Sequence, residues 1–75
     1  MVERLPQMTP REIIRALERV GFRMIRISGS HQSYHHPLTK RTVVIALHSK
    51  ELKRGMMYGI LKQAGVTIDD IRKAL

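Results

Sequence analysis

The sequence predicts an α+β fold, with a three-stranded antiparallel sheet packed by helices on one face in the order α-β-β-β-α, and a short extra helix at the C terminus. Three observations predict it. Apolar residues recur at helical spacing over residues 9–21 and again from about residue 50. Between these stretches lie three short segments of two-residue alternation separated by turn-forming residues. Their spacing is too short for helical crossovers, so the strands form a meander.

Residues 1–7, MVERLPQ, carry no periodicity. They read as a short lead-in before a single domain over residues 8–75, or Met8 begins the protein. In TPRE, Thr9 suits a helix N-cap, Pro10 the first helical position, and Glu12 closes a capping box. Ile13, Ile14, Leu17 and Val20 then form one helical face and Gly21 ends the run. Arg11, Arg15 and Arg19 share another stripe. Such a stripe is either a solvated face or a phosphate-facing one.

Phe22 to Ile27 reads as the first strand, with Ile25 and Ile27 on one face and Phe22 and Met24 on the other. Ser28-Gly29-Ser30 makes a turn, and a second strand runs from His31 to His36 before Pro37. Thr42 to Leu47 is the third, with Val43, Ile45 and Leu47 facing one way. The next helical stripe is Leu52, Met56, Met57, Ile60, Leu61 and Ala64, ended by Gly65. Met56 and Met57 are expected to fill the core. Gly55 and Gly59 each weaken that helix by roughly 1 kcal/mol relative to alanine, which suggests a packing reason. Thr67 and Asp70 cap the last helix, whose apolar residues are Ile68, Ile71 and Leu75.

Composition narrows the function. A chain of 75 residues buries only about 60% of its unfolded surface, enough for one modest core and no deep pocket. There is no cysteine, so no disulfide or thiolate zinc site braces it, which fits a reducing cytoplasmic setting. The longest apolar run, Val43 to Leu47, is far below the roughly 18 residues of a membrane span. Fourteen Lys and Arg against six Asp and Glu give a formal charge of +8, which favours polyanions, nucleic acid first. With two tyrosines, one phenylalanine and no tryptophan, a stacking platform for single strands is not expected.

Three of the four histidines fall within SGSHQSYHHP, residues 28–37. A metal site fits poorly. His35 and His36 point to opposite faces of a strand, and His31 and His35 lie about 13 Å apart at roughly 3.3 Å per residue, against ligand bonds of about 2.0–2.1 Å. Ser30 beside His31 diverges from it, so a serine–histidine dyad is excluded. Acid–base chemistry by one histidine suits RNA, which carries its own 2′-hydroxyl nucleophile. His31 follows Gly29, where backbone can approach a phosphate. The alternative is that His31 is a half-exposed strand residue. His35 and His36 fit a loop entrance, and His48 fits a strand end or a phosphate contact.

Four segments in order, TPREIIRALERVGF, GSHQSY at residues 29–34, VVIALHSKELKRG at 43–55 and ILKQAGVT at 60–67, resemble the HicA family of toxin ribonucleases. The resemblance covers most of the chain from Met8 onward. It implies a fold like that of double-stranded-RNA-binding domains and a metal-independent endoribonuclease, without cofactor, that cleaves messenger RNA and stops translation. The family's catalytic histidine falls on His31. Gly29, Ser30 and Gln32 beside it are expected to bind RNA. His48, Lys50, Lys53, Arg54 and Lys62 are the other expected RNA contacts, and His48, Lys50 or water the second proton-transfer group. The implied partner is a HicB-type antitoxin that covers the active surface, with DNA met only indirectly through that antitoxin. Where many relatives carry Thr-Leu-Arg after Gly55, this chain has Met56-Met57-Tyr58, and Gly59 is also unusual. A non-catalytic RNA-binding module and a basic adaptor for an acidic protein are the alternatives.

Overall fold

The computed structural model describes residues 6–47 and 50–75. Its elements are α1 (Pro10–Arg19), β1 (Arg23–Ser28), β2 (His31–His35), β3 (Thr42–Ala46), α2 (Arg54–Ala64) and α3 (Ile68–Ala74). The strands form one antiparallel sheet in the order β1-β2-β3. This is the α+β arrangement that the periodicity predicts, though α2 begins at Arg54 rather than near Lys50.

Both predicted capping boxes form. The Thr9 hydroxyl accepts the Glu12 N–H at 3.2 Å while the Glu12 carboxylate accepts the Thr9 N–H at 2.9 Å. Thr67 and Asp70 repeat the exchange at α3, at 3.0 Å in both directions. Each box satisfies amide donors that the first helical turn leaves without partners. The Thr9 backbone bond, then its hydroxyl, hold the Glu12 carboxyl below its ordinary value of 4.5, and Thr67 holds Asp70 below 3.8 in the same way. A carboxylate depressed in the folded state stabilises the fold above its unfolded pKa and loses that contribution as pH falls through the folded value. Urea midpoints should therefore drop as pH is lowered from about 5 to about 3. A Glu12→Gln, Asp70→Asn double variant, which keeps the acceptors but cannot titrate, should show a flatter profile.

One core forms beneath the sheet. Ile13 and Leu17 of α1 meet Val43 and Ile45 of β3, Met57 of α2 and Ile71 of α3, all essentially without exposure. Leu52, just before α2, is buried too, and its N–H donates to the Met8 carbonyl at 2.8 Å. Arg19 does not remain a free member of the basic stripe. Its Nη1 donates to the Ala74 carbonyl at 2.6 Å, satisfying an acceptor at the end of α3 and joining the outer helices.

β1 departs from simple alternation. Register passes from Met24 opposite Tyr34 to Arg26 opposite Ser33, leaving Ile25 as a bulge. Phe22 lies before the strand and in the core. Because of the bulge, Met24 and Ile27 share the face of Tyr34 and Gln32, while Arg23 and Arg26 share the other face. The expected pairing of Ile25 with Ile27 is thus corrected. Every residue of β1 is exposed.

His36 sits at the loop entrance, as expected, directly after β2. It is also a connector. Its Nε2 meets the Val20 carbonyl at 3.0 Å, and its Nδ1 meets the Leu38 and Thr39 N–H groups at 3.2 and 3.3 Å. A carbonyl needs a donor and two amides need an acceptor, so the network assigns the ring proton to Nε2. Phe22 stands edge-on to the ring at 5.1 Å. Gly21 makes room: its φ is +112°, and an added Cβ would lie 2.6 Å from His36 Nε2. Any side chain there meets both a disfavoured backbone angle and a ring fixed by three hydrogen bonds.

Candidate functional site

The turn between β1 and β2 is short. Gly29 adopts φ +60°, a left-handed conformation that costs glycine little, and the chain re-enters the sheet at His31. The Leu47 N–H donates to the Ser30 carbonyl at 2.8 Å, so the turn is tied to the end of β3. His31 is exposed on the sheet face that the core does not use. It stands between Ser28 of β1 and Ala46 of β3.

That outer face forms three cross-strand rows. Ser28, His31 and Ala46 make the first, Arg26, Ser33 and Val44 the second, and Arg23, His35 and Thr42 the third. No carboxylate occurs in any of the three strands. Two arginines therefore share a surface with His31, with no acid in the sheet to neutralise them. His35 Nδ1 lies 2.9 Å from the Thr42 hydroxyl, a cross-strand pair that orients its ring.

Among the expected contacts, Gly29 and Ser30 lie at the turn beside His31. Gln32 does not join them. It lies on the core-side face, where its Oε1 accepts the Tyr34 hydroxyl at 2.7 Å. Burial first, then the Glu18 carboxylate, push that phenol above its ordinary value of 10.0. Arg11 and Arg15 border the same side, in a shallow recess with Gln32 and Tyr34. Lys50 is exposed ahead of α2, Lys53 is its N-cap and Arg54 its first residue. Lys62 is exposed within α2, and His48 lies outside the described residues. Among the described residues, no group of three or more His, Cys, Asp or Glu is placed to hold a metal ion.

α2 packs along β3, and a groove of about 370 Å³ runs between them, reaching His31. Val44 and Ala46 form its sheet wall, and Met56, Gly59 and Gln63 its helix wall. Met56 was expected in the core with Met57. Only Met57 is there, at 0% exposure, while Met56 is 55% exposed on the groove.

Sequence reasoning missed Arg23 and Arg26 as sharing the sheet face of His31. Residues three apart on a regular strand point to opposite faces, and only the bulge at Ile25 aligns them.

A family model described as the HicA toxin of bacterial toxin-antitoxin matches residues 10–66. The chain belongs to this family. The match spans α1, the whole sheet and α2, so the HicA region contains His31 and the groove together. No curated protein matches the chain. As a HicA-family protein it is the toxin of a toxin–antitoxin system, which implies a cognate antitoxin as partner. No helix among the described residues of this HicA toxin is long and apolar enough to cross a membrane.

Proposed function

We propose that the toxin is a metal-independent endoribonuclease acting on messenger RNA in the cytoplasm, with His31 as its acid–base group. The observation that carries this reading is the position of His31, exposed beside the Gly29 turn on a sheet face whose charged side chains are all basic. RNA backbone laid across that face meets Arg23 and Arg26, which offset phosphate charge. At His31 the neutral imidazole accepts the proton of a 2′-hydroxyl. The 2′-oxygen bonds to phosphorus and the bond from phosphorus to the 5′-oxygen breaks. Water or a cation such as Lys50 protonates that leaving oxygen. The products are a 2′,3′-cyclic phosphate and a 5′-hydroxyl. Cationic side chains stabilise the charge that builds on the phosphate as the new bond forms.

The antitoxin is of the HicB type in this reading and inhibits by covering the outer face. Contact with DNA then arises only through the antitoxin. Gly29, Ser30, Lys50, Lys53, Arg54 and Lys62 are retained as RNA contacts. Gln32 acts at one remove, by bracing Tyr34 beneath the site.

The test incubates purified toxin with a long messenger RNA in excess EDTA and determines the chemistry of the new ends. New 2′,3′-cyclic phosphate ends are the expected result. Salt-dependent retardation of RNA without new ends would replace the enzyme by an RNA-binding module.

A further inference from the structure

The groove beside His31 breaks two local rules at once. Glycine inside a helix is destabilising, yet α2 keeps Gly59 in its interior. Among the described residues nothing explains it by packing, because an added Cβ at Gly59 would meet no atom within 4 Å. One turn earlier, Met56 leaves a large apolar side chain 55% exposed on the same groove. Local rules are broken chiefly at functional positions. Here both breaks act on one space, since glycine keeps the helix wall low where methionine and Val44 make it apolar.

We infer that this groove is a nucleobase subsite, which receives a base flanking the phosphate held at His31. The inference rests on the ribonuclease reading for its choice of ligand. The volume of about 370 Å³ lies near the lower end of the roughly 300–1,000 Å³ typical of small-ligand sites. Apolar contact from Val44 and Met56 suits the flat face of a base, and thioether sulfur packs well against aromatic rings. The Gln63 side chain on the same wall carries a donor and an acceptor for the base edge. Lys62, three residues beyond Gly59, is exposed on the same helix and would meet a phosphate next to the seated base. His31 opens into the same groove, so base and scissile phosphate are bound contiguously. Sequence-selective proteins commonly hold single-stranded RNA by such splayed bases. The subsite gives the enzyme a base preference next to the cleaved bond, set by Met56, Gly59 and Gln63.

The test uses the full chain and a fluorescein-labelled, fully 2′-O-methylated RNA, which binds but cannot be cut. Wild type should bind it about tenfold or more tightly than the matched oligomer made abasic throughout, at equal salt. Gly59→Leu, which fills the groove, should abolish that difference while keeping the affinity for the abasic chain and its salt dependence. Gly59→Ala should melt higher than wild type, since the added methyl meets nothing, and serves as a folded reference with an intermediate effect. Equal wild-type affinity for the two oligomers overturns the subsite, as does an unchanged base-dependent difference in a folded Gly59→Leu variant, which would leave the groove to an antitoxin side chain. Cleavage of ordinary RNA is scored separately. Base-dependent binding without cleavage removes the enzyme and keeps the subsite, whereas cleavage with base-independent binding does the reverse.

Discussion

Replacing His31 by alanine should lower RNA cleavage by about 10²–10⁴-fold, the contribution typical of one positioned acid–base group. The loss should fall on the rate at saturating RNA. In the proposed reading affinity rests on phosphate contacts from Arg23, Arg26 and the lysines, and these remain. Truncating an exposed side chain opens no cavity, so the circular dichroism spectrum and melting temperature should stay near wild type. Single-turnover kinetics on one labelled RNA, together with binding of an uncleavable copy, separate the two effects. A folded variant that cuts at near wild-type rate would remove His31 from the chemistry. Equal losses of rate and affinity would make it a binding residue.

The largest effect on stability is expected at Phe22. Its ring is 2% exposed in the core and stands edge-on to His36. Phe22→Ala removes buried apolar surface, leaves a cavity and takes away a ring contact, costing about 3–5 kcal/mol. A 75-residue domain has roughly 4–11 kcal/mol in total. The variant should therefore lose a large share of its stability, and where the wild type lies at the low end of that range only antitoxin binding would hold it folded, through mass action. Urea denaturation with and without the antitoxin would measure both. A loss under about 1 kcal/mol would show that the core closes around the gap.

The parts legible in the sequence were those whose physics is local. Thr9 with Glu12, and Thr67 with Asp70, announce helix starts within four residues, and both boxes form. The alternation in Thr42 to Leu47 placed Val43 and Ile45 inward, where they are buried. What could not be read depends on chain segments far apart. The bulge at Ile25 exists only in the pairing of β1 with β2, so the alignment of Arg23 and Arg26 had no local signal. His36 takes its role from Val20, 16 residues earlier. Met56 and Met57 are adjacent, and which of them enters the core depends on the rotation of α2 against β3. The position of His31 beside a glycine turn was legible, while the groove next to it required that rotation.

The edge at β1, which no strand covers among the described residues, has a consequence for the protein before any partner arrives. A strand with free backbone donors and acceptors invites another edge to add to it, and repeated addition leads to fibres. Met24, Ile25 and Ile27 are all about half exposed or more, which strengthens that invitation. The bulge interrupts the regular spacing of the ladder, and Arg23 and Arg26 bring like charges face to face whenever two such edges approach. The edge itself thus carries the protection of this protein against self-assembly.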